Sequence, residues 1–408
     1  MSLVHDDERT KMHVVLTVPG YPPQTHSGGI GMYGKLAAQG FSEAGHTVTV
    51  LSRALGGSRR VEHDGKVTVI RLPGPLEGPP IGLSTFSTQL HEEWCRVNVH
   101  STVDYTECSD WGGEGVELLR RSITGVLATR VHSPGFLVQP MNPESPDYLS
   151  RETLEAEREQ LVGSPHVLVN SAAAATALGQ VGCRGQIHVV PYIYTTRARS
   201  PLPSRSMDYF RLGSVGRLER RKGADLLVEA LRLLGPGVKV QLVLVGADTP
   251  TSSGTFSDAL LASAPEWLAA RILFMGERTH SETMNLIAGC HAVAQPARFE
   301  NFAFSMLEPM SIGRPVILPD LRTLDAMTTH EDALTFEPES VVALASRIRY
   351  LTELSVRELS LLGVRHRAFY NERFASEEVR RNTLATVRKL VVASSSPAFS
   401  VGKLGRGR

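Results

Sequence analysis

The feature that most constrains this chain is an alternation that runs twice. Short apolar, β-branched runs are followed by segments with apolar residues at helical spacing, and after one interruption the series starts again. In the first series, residues 12–18, 47–52, 67–71, 125–130, 166–169 and 187–190 are predicted strands. Helices are predicted over 33–44, 83–99, 113–121, 151–162 and 172–178. Residues 191–206, rich in Pro, Ser and Arg, read as a hinge. Strands then follow at 212–215, 238–245, 272–275, 291–295 and 315–319, with helices over 224–234, 281–289, 305–312, 341–354 and 376–392. Strands alternating with helices imply parallel sheets covered on both faces. The expected architecture is α/β, two doubly wound Rossmann-like domains facing across a cleft. Its expected divisions are a first domain over 1–190, the hinge 191–206 and a second domain over 207–375. A C-terminal helix over 376–393 packs back toward the first domain, and a disordered tail covers 394–408.

Composition narrows the function classes. With 408 residues, 42% hydrophobic and 21% charged, the chain can bury two sizeable cores. Lys plus Arg total 43 against 42 Asp plus Glu, so overall charge predicts no nucleic-acid partner. No window approaches 18 uninterrupted apolar residues, so no membrane insertion is expected. The polar stretch Met1 to Lys11 has no apolar leader core, and a cytoplasmic protein is expected. Cys95, Cys108, Cys183 and Cys290 form no CxxC, which argues against a disulfide framework or a zinc site. The charge is unevenly spread. Residues 1–190 hold 15 basic and 20 acidic side chains, and the remainder holds 28 and 22. An anionic ligand therefore suits the second half better, although an ordinary solvated surface gives the same split.

Three segments could carry chemistry. Ser27-Gly28-Gly29-Ile30-Gly31 lies between the first strand and its helix, where glycines admit a ligand to the backbone and amides face an anion. A plain turn fits the same residues, and the spacing is not the GxGxxG dinucleotide fingerprint. Gly216-Arg217-Leu218-Glu219-Arg220-Arg221-Lys222-Gly223 follows a strand, so Arg217 sits where open α/β sheets take ligands. Arg217 and Lys222 could converge on a diphosphate, one as a planar fork and one as a point charge. Taken alone, a solvated basic loop also fits. The third segment, Arg298 to Glu308, leaves a strand and enters a helix. Glu300 and Glu308 are about two helical turns apart, and the amides of Phe302, Ala303 and Phe304 sit at the positive end of the helix dipole.

Together these segments resemble the family 4 glycosyltransferases, retaining nucleotide-sugar enzymes of the GT-B fold. The resemblance takes in the Gly-Gly loop, Gly45-His46-x-Val48, Thr129-Arg130-Val131-His132, Gly216 to Gly223 and Glu300 to Val316. Its most specific part is the Glu-x7-Glu motif, Glu300 and Glu308, followed by Glu308-Pro309-Met310 and Gly313-Arg314-Pro315-Val316. The resemblance implies that Glu300 contacts the transferred sugar near its reacting carbon, with His132 beside that sugar. It implies that Glu308 holds the ribose hydroxyls, and that Arg217 and Lys222 bind the diphosphate. Gly29 and the amides of Phe302, Ala303 and Phe304 would complete the phosphate cradle. Arg278 falls where the family reads the base, though a surface arginine fits as well. Glu107 to Gly113 reads as a cleft-side loop of the acceptor domain. Two departures stand out. Ala303 replaces the family's usual Gly, which would tighten the donor pocket, and Pro309 replaces Ala, which would disturb the helix carrying Glu308.

The expected activity is that of a hexosyltransferase, moving a sugar from a nucleotide-sugar donor to a hydroxyl of a soluble acceptor such as a metabolite, natural product or glycan. No cofactor is expected. No Asp-x-Asp occurs in the chain, so basic side chains rather than a metal ion are expected to meet the leaving diphosphate. Two other readings use the same residues: a sugar phosphorylase of the same fold, and a non-catalytic nucleotide-sugar-binding subunit.

Overall fold

The computed structural model describes residues 11–23, 28–55, 57–74, 83–143, 149–192, 194, 200–203, 209–328, 332–375 and 377–395. One sheet uses β1 (His13–Val18), β2 (Thr47–Leu55), β3 (Arg60–Asp64), β4 (Val67–Gly74), β5 (Tyr105–Ser109), β6 (Val126–Arg130), β7 (His166–Val169) and β8 (Gln186–Val189). Their spatial order is β3-β4-β2-β1-β5-β6-β7-β8, parallel throughout except for the β3–β4 edge hairpin. The later strands are β9 (Phe210–Val215), β10 (Val240–Val245), β11 (Pro250–Thr251), β12 (Gly254–Thr255), β13 (Ile272–Phe274), β14 (Ala292–Ala294), β15 (Val316–Pro319) and β16 (Leu334–Phe336). Strands β11 and β12 form a small ribbon. The other six make a parallel sheet in the order β13-β10-β9-β14-β15-β16.

In both sheets the winding reverses beside the first strand, between β1 and β5 and between β9 and β14. Helices leave opposite faces on either side of such a point, which opens a crevice at the carboxyl ends of the strands. That geometry decides where the loops of interest lie. Gly29 follows β1, His132 follows β6, Arg217 and Lys222 follow β9, and Glu300 follows β14.

Each sheet is buried on both faces. Val14, Leu16 and Val18 of β1 share a core with Leu36, Ala37 and Phe41 of the helix Gly28–Glu43. Val15 points the other way, toward Leu51, Leu90 and Trp94. In the second sheet, Leu212, Leu242 and Leu244 pack with Leu227 and Leu231 of the helix Ala224–Leu234. The helix Glu377–Ser395 returns to the first sheet. Its Leu384, Val387 and Leu390 join the core that holds Phe41 and Tyr105, and Thr383 Oγ1 donates to the Pro191 carbonyl at 3.2 Å. Of the tail expected over 394–408, residues 394–395 belong to this helix, and the rest lies outside the described residues.

Several elements differ from the sequence reading. β5 occupies part of the stretch read as a loop, so Glu107 and Ser109 are strand residues. The helix expected over 113–121 is split into a 3-10 turn, Trp111–Gly113, and a helix, Val116–Arg120. Gly112 and Gly113 have φ of 72° and 60°, outside the helical region. Strands β3 and β16, the β11–β12 ribbon and the helices Phe256–Ser263 and Val356–Arg373 were not anticipated.

Gly223 is a position where the backbone itself demands glycine. It links the turn Arg220–Lys222 to the helix Ala224–Leu234 with φ of 77°, and an added Cβ would lie 2.0 Å from the Pro296 carbonyl oxygen. Gly223→Ala combines left-handed strain with overpacking against backbone. The expected cost is about 2–4 kcal/mol, read as a lower melting temperature in a thermal unfolding scan.

Candidate functional site

The second-sheet wall of the crevice is a stapled pair of loops. Arg298 holds Asp225 through two hydrogen bonds of 2.9 and 2.6 Å, and its backbone N–H donates to the Arg221 carbonyl at 2.8 Å. The loop after β14 is thereby fixed to the loop after β9. Between them lies a buried ion cluster. Arg221, 4% exposed, donates to Glu219 at 2.6 and 3.0 Å, to the Phe299 carbonyl at 3.1 Å and to Glu300 at 3.4 Å. Lys222 Nζ donates to Glu300 as well. Burial pushes the Glu219 carboxyl upward, but Arg217, Arg221 and Lys222 outweigh it and hold it below the usual carboxylate range. For Lys222, burial lowers the ammonium's pKa and Glu300 opposes that shift.

The sequence motifs meet here in part. Lys222 and Glu300 are in direct contact. Arg217 reaches the same cluster through Glu219 at 3.4 Å, with its side chain 42% exposed at the mouth. Glu308 lies further along. It begins no ion pair with these groups but accepts from, or shares a proton with, His280 Nε2 at 2.9 Å. His280 opens the helix His280–Ala288, which Thr279 and Glu282 cap reciprocally. Arg278 is not drawn in. Its exposed guanidinium donates to the adjacent Glu277 carbonyl at 3.1 Å.

Phe302, Ala303 and Phe304 sit at the start of the helix Phe304–Ser311, where the Met306 amide donates to the Ala303 carbonyl at 2.9 Å and the amides before it have no acceptor within the helix. Ala303 has φ of −92° and is 2% exposed, so this backbone does not require glycine and its methyl is packed. Pro309 does not break the helix, because it sits in the last turn and only the bond to the Ser305 carbonyl is lost. The side chains of Phe302 and Phe304 pack on Tyr192, with ring centroids 4.6 and 5.2 Å away. Gly29 adjoins the same ring set, since a Cβ there would lie 3.6 Å from Phe304.

The first-sheet wall is built around His132. Its Nδ1 meets the Tyr192 hydroxyl at 2.5 Å, while Nε2 is buried with no hydrogen-bond partner among the described residues. Burial, reinforced by Arg130, holds the imidazole pKa well below its ordinary value, so the ring is neutral at neutral pH. Arg130 is itself fully buried, paired with Glu107 at 3.2 Å and donating to the Val190 carbonyl at 2.6 Å. The His132 N–H donates to Asp110 at 3.0 Å, and burial, then the nearby Glu157, raises the Asp110 carboxyl well above its usual range. The two walls touch. Asn301 Nδ2 donates to the Val131 carbonyl at 3.1 Å, and Asn142 reaches Glu219 and Arg221. Glu219, Arg221, His280, Tyr192, Asp110 and Asn142 were not singled out from the sequence.

Residues 200–362 match the family described as glycosyl transferases group 1. The chain is 24% identical to a D-inositol 3-phosphate glycosyltransferase of Corynebacterium urealyticum, over 74% of this chain and 76% of that protein. Among solved structures, sucrose-phosphate synthase from Thermosynechococcus elongatus superposes with a TM-score of 0.76 at 23% identity, over 94% of this chain and all of that one. Anabaena HepE in complex with UDP-glucose gives 0.65 at 18% identity, over 93% of this chain and all of that one. The fold is GT-B, and residues 200–362 are similar to the glycosyl transferases group 1 family.

Glu157 anchors the loops beneath His132 by accepting from the amides of Gly112 at 2.7 Å and Phe136 at 3.1 Å. Burial pushes its carboxyl up to about 7, against an ordinary value of 4.5. A raised acid binds its proton more tightly when folded. Its stabilising contribution is complete below about pH 4.5 and is lost as pH rises to about 7, a change on the order of 3 kcal/mol. Glu157→Gln removes this titration. The stability difference between wild type and variant, from denaturant melts at about pH 5 and about pH 8, should therefore move in the variant's favour as pH rises.

Proposed function

We propose that this protein is a glycosyltransferase that moves a hexose, with retention of configuration, from a nucleoside diphosphate sugar to a hydroxyl of a soluble acceptor. The observation that carries this reading is the direct pairing of Lys222 with Glu300, beside the half-exposed Arg217 at a switch point of the second sheet. Departure of a diphosphate builds charge on its oxygens. Arg217, Lys222 and the amides of Phe302, Ala303 and Phe304 would stabilise that charge by position alone, so that no metal ion is required. Glu300 then faces the sugar, His132 approaches it from the other wall as a neutral hydrogen-bonding group, and Glu308 with His280 takes the ribose. A route in which the leaving phosphate accepts the acceptor's proton needs no protein nucleophile, and the buried, cation-bound state of Glu300 favours it.

For the acceptor, the balance of 15 basic and 20 acidic residues in the first 190 disfavours an anionic leaflet. The amphipathic helix Leu83–His100 is already occupied on its apolar side, where Phe86, Leu90 and Trp94 are buried in the core. No helix among the described residues is long and apolar enough to cross a membrane. HepE has been solved with UDP-glucose, which makes UDP-sugars the first donors to try. A cytoplasmic setting is part of the same proposal.

The test separates the two glutamates. Glu300→Gln should cut kcat with UDP-glucose or whichever donor of a UDP, GDP, ADP and TDP panel stabilises the protein against heat. Glu308→Gln should mainly raise the donor KM. Wild-type kcat in Glu300→Gln would refute the assignment. Activity should also persist in EDTA.

A further inference from the structure

The basic loop that carries Arg217 and Lys222 is held from the other domain. Asn142 ends the segment that follows β6, after the helix Gly135–Val138 and the turn Gln139–Met141. Its side chain is buried against the second domain, with the residue 3% exposed. Asn142 Oδ1 accepts from the Arg221 backbone N–H at 2.9 Å, and Nδ2 donates to Glu219 Oε2 at 3.2 Å. An amide is the group that suits both partners at once, because one is a donor and the other a carboxylate acceptor. A reversed amide would set N–H against N–H and oxygen against oxygen.

On the far side of these two contacts lie the donor-binding groups. Glu219 Oε2, which Asn142 touches, also faces Arg217 Nη2 at 3.4 Å, and Oε1 takes the Arg221 guanidinium at 2.6 Å. The Arg221 amide belongs to the turn Arg220–Lys222, so its direction sets that of Lys222 and of the pair with Glu300. Asn142 is prepared for this within its own domain. Its N–H donates to the Gln139 carbonyl at 3.1 Å, and Gln139 in turn ties to Leu149 by bonds of 3.0 and 3.3 Å.

We propose that Asn142 is a positioning residue of the first domain that aligns the diphosphate-binding loop of the second, itself stapled by Arg298, with the first-sheet wall across the crevice. The functional half of this statement rests on the glycosyl transfer proposed above; the loop-ordering half does not. Binding of a nucleoside diphosphate to the second domain alone does not need Asn142, whereas transfer across the closed crevice does.

Asn142→Ala and Asn142→Asp are compared with wild type. In ligand-free protein, hydrogen exchange of the amides from Glu219 to Gly223 should speed up in both variants, a readout independent of activity. UDP affinity, or that of the diphosphate found in the donor panel, should stay within about threefold, while kcat falls roughly ten- to hundredfold. Asn142→Asp places a second carboxylate against Glu219 and should be the worse variant at pH 8. It should recover relative to wild type as pH falls, since a protonated carboxyl both donates to Glu219 and accepts from Arg221. Unchanged exchange in the 219–223 segment, or wild-type kcat in both variants, overturns the proposal. Parallel losses of affinity and kcat overturn it too, since they would make Asn142 a support for binding alone. Absence of diphosphate binding by wild type would instead count against the glycosyl transfer reading, and the exchange measurement would still decide whether Asn142 orders the loop.

Discussion

Everything at the crevice depends on keeping four charges together out of water. Glu219, Arg221, Glu300 and Lys222 form a buried chain of alternating sign, in which Arg221 bridges two carboxylates and Glu300 two cations. Removing charges from water costs several kcal/mol per ion, and only tight geometry with the remaining hydrogen-bonding positions filled offsets that. The staple from Arg298 to Asp225, the glycine at 223 and the bonds from Asn142 all serve that geometry. A loop free to move would let water in and weaken the whole set. Glu300 keeps a second cation in Arg221 beside Lys222, so its charge does not depend on the lysine alone.

The first-sheet wall solves the same problem differently. Arg130 and Glu107 are buried as a pair, but the rings of Tyr33 and Tyr192 cover the guanidinium at 5.2 and 5.6 Å, and the hydroxyls of Tyr33 and Tyr105 donate to the carboxylate. Burial, and then this fixed positive charge beside it, keeps His132 neutral. A neutral imidazole can present either a donor or an acceptor at a ring nitrogen, which an imidazolium cannot.

The doubly wound plan was legible because parallel strands buried on both faces read as apolar runs, and residues 166–169 and 224–234 were delimited as they are found. β5 was hidden because its buried side chains include Glu107, whose partner Arg130 lies 23 positions away, so the strand does not look like a core. The helix Val356–Arg373 was hidden for a similar reason. Its inner face uses Gly363 and His366 beside Leu359 and Leu362, which blurs the apolar stripe. At the site, Arg217, Lys222 and Glu300 were visible as local motifs at strand ends. Asn142 and Tyr192 had no such signal, since what makes them matter is a partner in the other half of the chain. Arg278 was placed by resemblance alone, and its exposed guanidinium donates to the adjacent Glu277 carbonyl.

The return of the helix Glu377–Ser395 to the first sheet has a consequence for how the molecule is made and how it moves. A ribosome releases the first domain's strands long before the segment that covers Phe41 and Tyr105 exists, so that domain waits, partly uncovered, for the last residues of the chain. Once in place, the helix gives the two halves a second covalent crossing beside the one near Pro191, where Thr383 docks. Two tethers set side by side suppress sliding and leave rotation about the line through them. Any rotation of one half against the other would have to turn about the line that the chain's own path lays down.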